Sequence, residues 1–183
     1  KMDIGLERMV VLATNNDPQV RSVAAESIGE EIWQKPELQQ RALEVGAFEV
    51  LLNILNNDDE GVNSLLPAIW SIRNVLHNNR QAQEQCAHRD ALAVFTKVVQ
   101  RCAFGQYGDH TEKIIEAVLA AYVAAISNHE RNSRRLLVVG LEAIMDISDG
   151  KIAAVTGSDK LVTQTLQGEG TIALAKSIML MLG

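Results

Sequence analysis

The sequence is poor in cysteine, proline and aromatic residues, and each shortage excludes a class of protein. Among its 183 residues are 2 cysteines and 3 prolines, and aromatic residues make up 4%. Two cysteines, Cys86 and Cys102, cannot build the disulfide framework of a small secreted domain. We therefore expect a reducing compartment, which is the cytoplasm or alternatively the nucleus. The shortage of aromatic side chains and of prolines favours helices over strands.

Long hydrophobic runs are missing as well. The longest uninterrupted apolar run, Ala117–Ile126, has ten residues, whereas a helix that spans a membrane needs about 20. We therefore expect no insertion into a membrane. Hydrophobic residues make up 47% of the chain and charged residues 22%, which is typical of a folded globular protein. We expect a single repeat domain over residues 1–183.

The net charge of −6 is concentrated in the N-terminal part of the chain. Residues 1–76 hold six basic and twelve acidic side chains, whereas the remainder holds eleven of each. An acidic surface repels the phosphates of nucleic acids and attracts basic segments. We therefore expect a protein or peptide partner with basic segments and no nucleic acid partner. The alternative is a solvated surface that only keeps the chain soluble.

Internal repeats decide the fold class. A shift of 44 residues places residues 47–51 on 91–95, and a further shift of 50 places 91–95 on 141–145. A looser fourth copy places Ser177 under Ser71. The sequence thus predicts approximate repeats at 1–56, 57–108 and 109–150, followed by a partial repeat at 151–183.

One turn position recurs in three of these copies, between a short helix and the helix that follows it. The two shifts place Gly46 on Asp90 and then on Gly140. Glycine adopts positive φ angles freely, and Asp is among the few other residues that do so. We expect a positive φ at all three positions.

Within each copy the apolar residues follow a helical period. Val20, Ala24 and Ile28 lie on one face of a helix that Asp17 would cap and Pro18 would begin. The helix over residues 47–55 should direct four side chains inward, namely Phe48, Leu51, Leu52 and Leu55.

Two further local patterns bear on helix starts. Asp109 followed by Glu112 resembles a capping box before a helix over residues 114–126. Pro67 allows two alternatives. It either kinks a helix from within or lies harmlessly in the first turn of a helix that starts near Ser64.

The segment Ala68–Val75 resembles the third helix of an armadillo repeat of the importin-alpha group, and Leu43–Leu52 resembles the junction between its first and second helices. The resemblance covers nearly the whole chain. It implies an all-α fold, a right-handed armadillo-like superhelical solenoid of about three to four three-helix repeats, as in importin-alpha and beta-catenin. Such solenoids present an extended concave face.

A second, narrower likeness concerns the armadillo-type nucleotide exchange factors of heat-shock chaperones. The residues that carry it are Val20-Arg21, Ala24-Ala25, Ile28-Gly29, Pro36 with Gln39-Gln40, Gly46-Ala47 and Ala82–Gln85. Most of these are core or turn positions in any armadillo repeat. The likeness implies an alternative function, in which the chain clamps the ATPase domain of a chaperone.

The importin-like resemblance implies a binding site on the concave face. In that family the residues that match Trp70 and Asn74 form walls around side chains of an extended peptide and hold its main chain. With Glu26, Glu30 and Arg73 they would form an acidic and aromatic patch across two repeats. The alternative is that Trp70 is buried core and Asn74 a polar residue at a helix end.

The other copies depart from the importin pattern. At the positions of Trp70 and Asn74, the first copy has Glu26 and Glu30, the third has Ala120 and Ala124, and the fourth has Lys176 and Leu180. A single Trp–Asn pair cannot hold an extended peptide as an importin array does. The sequence therefore does not predict binding of nuclear-import cargo.

Two other surfaces are candidates. Arg131, Arg134 and Arg135 form a secondary basic patch, or else a solvated helix start. The last helix has almost no polar face, so Ile178, Leu180 and Leu182 are candidates for self-association as a homodimer or for continuation into a longer solenoid. The alternative is that a loop over residues 146–160 folds back over this helix.

No pattern predicts catalysis, a metal site or a cofactor. Cys86, His88 and Asp90 have no second cluster to complete a zinc site. The segment 168–173 matches a variant dinucleotide fingerprint, and residues 161–166 before it can be read as a strand. Too few residues follow for the second strand that the motif needs, so we interpret the glycines as a turn before a last helix. We therefore expect no enzyme but a non-catalytic protein–protein interaction module that binds its partner along the concave face.

Overall fold

Eleven α-helices and one two-stranded sheet form the described part of the chain. The computed structural model describes residues 5–155 and 161–183. The helices are α1 (Leu6–Leu12), α2 (Pro18–Ile32), α3 (Pro36–Glu44), α4 (Ala47–Asn56), α5 (Val62–Leu76), α6 (Arg80–His88), α7 (Ala91–Ala103), α8 (Thr111–Ile126), α9 (Glu130–Val139), α10 (Leu141–Ser148) and α11 (Glu169–Leu182). Between α10 and α11, strands β1 (Lys151–Val155) and β2 (Leu161–Thr165) pair antiparallel.

The helices form a stack of three-helix units. Three complete units, α3–α4–α5, α6–α7–α8 and α9–α10–α11, follow the pair α1–α2. The third helices form one layer, in which α5 packs between α2 and α8, and α11 packs on α8. The predicted all-α solenoid is confirmed. The predicted repeat boundaries after residues 56, 108 and 150 divide the same array at other points, each before a third helix, namely α5, α8 and α11.

Helix α2 starts where the sequence indicates. The Asp17 carboxylate accepts a hydrogen bond from the Gln19 amide at 2.8 Å, and Pro18 occupies the first helical position. This cap satisfies an amide that would otherwise lack a partner at the helix start. In α4 the four predicted inward residues are all buried, namely Phe48, Leu51, Leu52 and Leu55.

Pro67 lies inside α5, which decides between the two alternatives. A proline within a helix leaves the carbonyl four residues earlier without its donor. Here that carbonyl belongs to Asn63, and the Ser22 hydroxyl of α2 donates to it at 2.5 Å. The neighbouring repeat thus replaces the hydrogen bond that the proline removes.

The third helices end in the same kind of turn. Gln34, Asn78 and Asn128 have φ angles of 56°, 53° and 56°. In each turn the residue after the positive-φ position donates its amide hydrogen to the carbonyl oxygen three residues before it. An example is the bond from Lys35 to Ile32, at 3.1 Å. This is the geometry of a type II turn, in which the third residue takes a positive φ.

Of the three positions predicted to have a positive φ, two are confirmed and one is wrong. The φ angle is 81° at Gly46 and 51° at Asp90, but −128° at Gly140. Glycine fits at position 140 because little room is left for a side chain. A Cβ atom there would lie 2.5 Å from Leu136 Cδ1 and 3.4 Å from the Tyr122 hydroxyl.

The predicted capping box of Asp109 and Glu112 is wrong. A 3₁₀ turn, Gly108–His110, precedes α8, and no side chain caps the helix at this end. Glu112 Oε1 instead accepts hydrogen bonds from the amides of Gln167 and Gly168, at 2.5 and 3.0 Å. Glu112 therefore ties α8 to the start of the last helix.

The described part of the predicted loop over residues 146–160 is the end of α10, a turn and β1, and residues 156–160 lie outside the described residues. β2 matches the strand that residues 161–166 suggested, and the last helix is confirmed. The glycines do not form a turn before it, because Gly168 is the residue directly before α11 in an extended conformation and Gly170 lies within its first turn. β2 pairs with β1 in an antiparallel hairpin. This is unlike the parallel strand–helix–strand unit of a dinucleotide site.

The buried residues of the fourth copy are compatible with the predicted alignment. In α11 they are Thr171, Ala175 and Ile178. The alignment that places Ser177 under Ser71 places these three under Leu65, Ile69 and Ile72 of α5, which are fully buried as well.

Candidate binding groove between α2 and α5

The third helices α2 and α5 approach each other closely because small residues face each other. The Ser71 hydroxyl donates to the Ala25 carbonyl oxygen at 2.6 Å. A Cβ atom on Gly29 would lie 2.3 Å from Ser71 Oγ and 3.3 Å from Ser71 Cα. Glycine at position 29 is therefore required by the backbone separation of the two helices.

A groove of about 570 Å³ runs along this pair of helices. We call it the α2–α5 groove. Its lining residues are Glu26, Gly29, Glu30 and Trp33 from the first helix and its end, and Leu66, Pro67, Trp70, Ser71 and Asn74 from the second. The structure thus brings together four of the five predicted site residues in the lining, and the fifth, Arg73, lies next to it.

Trp70 lies in the groove wall and not in the core, so the alternative that Trp70 is buried core is wrong. Its side chain is 38% exposed and lines the groove wall. On the opposite side, Glu26 and Glu30 are exposed. Within residues 5–155 and 161–183 neither carboxylate takes part in an ion pair. An aromatic wall facing free carboxylates suits a cation on an aliphatic stem.

Trp33 is the second aromatic residue of the groove, and no sequence pattern predicted it. The Arg73 guanidinium lies 4.3 Å from the centre of the Trp33 ring, and the His77 ring centre lies 5.3 Å from it. Burial lowers the pKa of Arg73. Burial and the charge of Arg73 lower the pKa of His77. Trp33 lies one residue beyond the end of α2, so the helical period gave no signal for it.

Asn74 differs from the role that the resemblance implied. Its amide nitrogen donates to the Gly29 carbonyl oxygen at 3.1 Å, and its amide oxygen accepts from Arg73 at 3.0 Å. The Gln39 amide also donates to the Asn74 carbonyl oxygen, at 2.8 Å. These contacts join neighbouring helices, so Asn74 contributes to holding the groove together.

The groove chemistry is confined to this pair of helices. At the equivalent positions of α8 lie Ala120 and Ala124, which offer neither an aromatic wall nor a polar group. In α11 the predicted alignment places Lys176 and Leu180 there, and both are exposed.

The predicted basic patch on α9 is largely neutralised. Arg135 donates to both oxygens of the Asp90 carboxylate, at 2.9 and 2.6 Å, and Arg134 pairs with Glu130 at 2.5 Å. The hydrogen bond and the charge of Arg135 lower the pKa of Asp90. Arg131 is exposed. Two of the three arginines thus stabilise the fold locally.

The three candidates for self-association on α11 have different environments. Ile178 is fully buried, so it is not on the exposed face, contrary to the prediction. Leu182 is half-buried. Leu180 is 84% exposed and lies on the surface.

Cys86, His88 and Asp90 do not converge. Cys86 is buried and burial raises the pKa of its thiol to about 12, while His88 is exposed and Asp90 pairs with Arg135. Across the residues that the structure describes, no group of three or more His, Cys, Asp or Glu side chains could hold a metal ion. None of the helices formed by these residues has the length and hydrophobicity to cross a bilayer.

Comparison with known proteins gives a structural likeness only. No protein-family model matches the sequence. No curated protein matches it either. Among solved structures, the chain is similar to a designed armadillo repeat protein, YIII(Dq)4CqI, with a TM-score of 0.71 and 18% sequence identity. The match covers 96% of this chain and 63% of the designed protein, so the chain spans less than two thirds of its length.

Proposed function

From the armadillo-like repeat fold that this chain has, we propose that it is a non-catalytic protein-interaction module. The α2–α5 groove binds an extended segment of a partner protein, and that segment presents a lysine or arginine side chain. Solenoids of this kind use extended surfaces and lack the enclosed pocket that catalysis needs.

The observation that supports this proposal is the pairing of Trp70 with Glu26 and Glu30 across one groove. The aliphatic stem of a basic side chain can pack on the indole while its charged end meets the carboxylates. The excess of acidic side chains in residues 1–76 attracts the same kind of segment from a distance.

Binding can be measured by titrating the chain with extended peptides that differ only in one central residue. We expect a lysine or arginine peptide to bind more tightly than its alanine or glutamate counterpart, and salt to weaken the binding. We expect Trp70→Ala to weaken it by about 30-fold, because buried aromatic anchors contribute about 2 kcal/mol or more.

The matched controls separate the groove from general charge. Glu26→Gln with Glu30→Gln should remove the preference for a basic residue, whereas Glu37→Gln, on the exposed start of α3, should leave it unchanged. Asn74 is left intact, because its hydrogen bond to the Gly29 carbonyl oxygen holds the two helices together. Equal binding of lysine and glutamate peptides would contradict the proposal.

No contact within the described residues favours the alternative, nucleotide exchange on a heat-shock chaperone. Residues that carry this likeness serve the packing of the repeats. Gln39 and Gln83 donate to carbonyl groups at the ends of α5 and α8, and Gly29 permits close approach. Acceleration of nucleotide release from a chaperone ATPase domain by the purified chain would favour this alternative over the groove proposal.

The proposed location is the cytoplasm, with the nucleus as the alternative. Cys86 and Cys102 are both free and buried. Cysteines stay as free thiols in a reducing compartment, which is the support for this location. Localisation of a tagged chain in cells tests this.

A further inference from the structure

A basic side chain, Arg73, lies beside the α2–α5 groove at the place where α2 ends. Its guanidinium lies 4.3 Å from the centre of the Trp33 ring. It also donates a hydrogen bond to the amide oxygen of Asn74, at 3.0 Å. Trp33 and Asn74 both line the groove. Two residues of the groove lining therefore hold the guanidinium in place.

Arg73 differs from the other arginines that are not exposed. Within the described structure three of these form an ion pair, namely Arg21 with Glu60, Arg101 with Asp58 and Arg135 with Asp90. Arg73 is partly buried in the same way, but no carboxylate within residues 5–155 and 161–183 pairs with it. It is therefore a partly buried cation without a counter-ion.

The guanidinium of Arg73 has capacity for an anion. A guanidinium carries five N–H donors, and in the described part of the chain that of Arg73 makes a single hydrogen bond, to Asn74. Burial lowers the pKa of Arg73, which is the effect of removing a cation from water where no carboxylate offsets it. A carboxylate at this place would form charge-assisted hydrogen bonds with the donors that remain.

The spacing of Trp70 and Arg73 matches that of an extended chain. The two residues are three apart in α5, so they share a helix face and their Cβ atoms lie about 5–6 Å apart. In an extended segment every second side chain points the same way, and such side chains lie about 7 Å apart. A segment that packs its basic side chain on Trp70 thus brings the side chain two positions away to Arg73.

We propose that Arg73 selects an acidic residue two positions from the basic residue of the bound segment. This inference rests on the proposed function of the α2–α5 groove and adds to it the class of segment. The segment is extended and carries one basic and one acidic side chain on the same face. A second basic residue in place of the acidic one is disfavoured, because Arg73 repels it.

The two charges of such a segment suit the two charged parts of the groove. Glu26 and Glu30 face Trp70 across the groove and attract the basic side chain. They would repel a segment that is acidic throughout, whereas Arg73 repels a segment that is basic throughout. Only a segment of mixed charge satisfies both parts, so electrostatic complementarity here sets specificity.

The inference is tested by titration with extended peptides that are amidated at the C-terminus and share one central lysine. They carry glutamate, glutamine or lysine two positions after the central lysine, and a second set carries them two positions before it. In one of the two sets we expect glutamate to bind about fivefold more tightly than glutamine, and lysine about fivefold more weakly. Glutamate directly beside the central lysine points to the other side of the segment and should have no such effect.

Variants at position 73 assign the effect to this residue. Arg73→Gln keeps an aliphatic stem and an amide donor but removes the charge, so it should bind the three peptides of a set alike. Arg73→Glu should reverse their order, which a merely structural role of Arg73 would not do. Arg131→Gln is the matched control, because Arg131 is exposed on α9, away from the groove, and should leave the order unchanged. Circular dichroism checks that each variant folds.

The glutamine peptide distinguishes failure of this inference from failure of the groove proposal. It is compared with a peptide in which alanine replaces the central lysine. If the lysine improves binding but glutamate and glutamine two positions away bind equally in both sets, the groove proposal stands and the role of Arg73 is wrong. If the lysine does not improve binding, both proposals are wrong. A preference for glutamate that persists in Arg73→Gln would also overturn the inference, because another group would then bind the carboxylate.

Discussion

At the scale of single residues, the contact of Gly29 with Ser71 sets how closely two repeats approach. We expect Gly29→Ala to lower the free energy of unfolding by about 1–3 kcal/mol, because the added methyl group would overlap Ser71 Oγ and crowd the Ser71 backbone. This loss exceeds the gain in helix propensity of up to about 1 kcal/mol. Urea denaturation measures the difference.

Gly170→Ala is the control for this substitution. Gly170 also lies in a helix, but no atom lies within 4 Å of a Cβ placed there. We expect this variant to be neutral or slightly more stable, by up to about 1 kcal/mol. Equal stabilisation by both substitutions would show that α2 and α5 can separate without loss.

His129 should make the stability depend on pH. Its Nδ1 accepts a hydrogen bond from the Asn132 amide at 3.3 Å at the start of α9, and the residue is 3% exposed. Burial lowers the pKa of His129, and the nearby Arg80 and Arg131 lower it further, against the opposing effect of Glu84. The neutral ring is therefore favoured in the folded state.

The sign of this dependence follows from proton binding. Above the ordinary pKa of about 6.5, both folded and unfolded chains are neutral at this position. Below it, the unfolded chain takes up a proton first, so the free energy of unfolding falls as the pH falls from about 6.5 towards the lowered pKa of the folded state.

His129→Asn should remove part of this loss, because asparagine keeps the cap and does not titrate. A remaining slope is expected from His77, whose pKa is also lowered. Urea denaturation between about pH 7 and pH 5 compares the two chains. Identical slopes in both would show that His129 is not the titrating group.

How far single residues could be predicted depended on whether the signal was local. Trp70, Glu26 and Glu30 were found because the repeat shift aligns them on one helix face, and the structure places all three in one groove. Trp33 was missed because it lies just beyond the end of α2, where the helical period stops. Gly140 was assigned a positive φ, whereas its reason is contact with Leu136, which no local pattern encodes.

At the scale of elements, the turns after α2, α5 and α8 have the same geometry, but the residues at their positive-φ position suit it to different degrees. Asn78 and Asn128 suit a positive φ, whereas Gln34 at the same place in the first copy does not. We expect Gln34→Asn to raise the free energy of unfolding by about 0.5–1 kcal/mol. Thermal or urea denaturation measures this gain.

The reverse substitution is its control. Asn128→Gln should lower the free energy of unfolding by a similar amount, because glutamine is less suited than asparagine to a positive φ. The hydrogen bond from Arg80 to the backbone carbonyl of Asn128 is retained in this variant, so it does not contribute to the difference. If Gln34→Asn destabilised the chain, the turn at α2 would not have the geometry of its two counterparts.

The elements of the first three copies could be predicted because apolar and polar residues alternate with a helical period there. The buried face of α11 could not, since residues 172–182 are almost all apolar and no polar face distinguishes its two sides. The structure buries Thr171, Ala175 and Ile178 against other helices. The hairpin was predicted only in part, because two short strands resemble a loop in a helical chain.

At the scale of the whole molecule, stability should fall from the middle of the stack to its ends. In a solenoid each repeat contacts only its neighbours. Helix α5 packs between α2 and α8, whereas α1 packs mainly on α2, and one face of α11 is exposed. The free energy of local opening should therefore be highest in α5 and α8.

Hydrogen exchange of backbone amides measures this gradient. We expect exchange in α1 and in the last turns of α11 to be at least roughly tenfold faster than in α5 and α8. Gly29→Ala should sharpen the gradient, because it weakens the contact between α2 and α5. Exchange should then increase in α1 and α2 while α8 keeps its protection. Equal exchange in all helices would mean that the stack opens as one unit, and the nearest-neighbour description would be wrong.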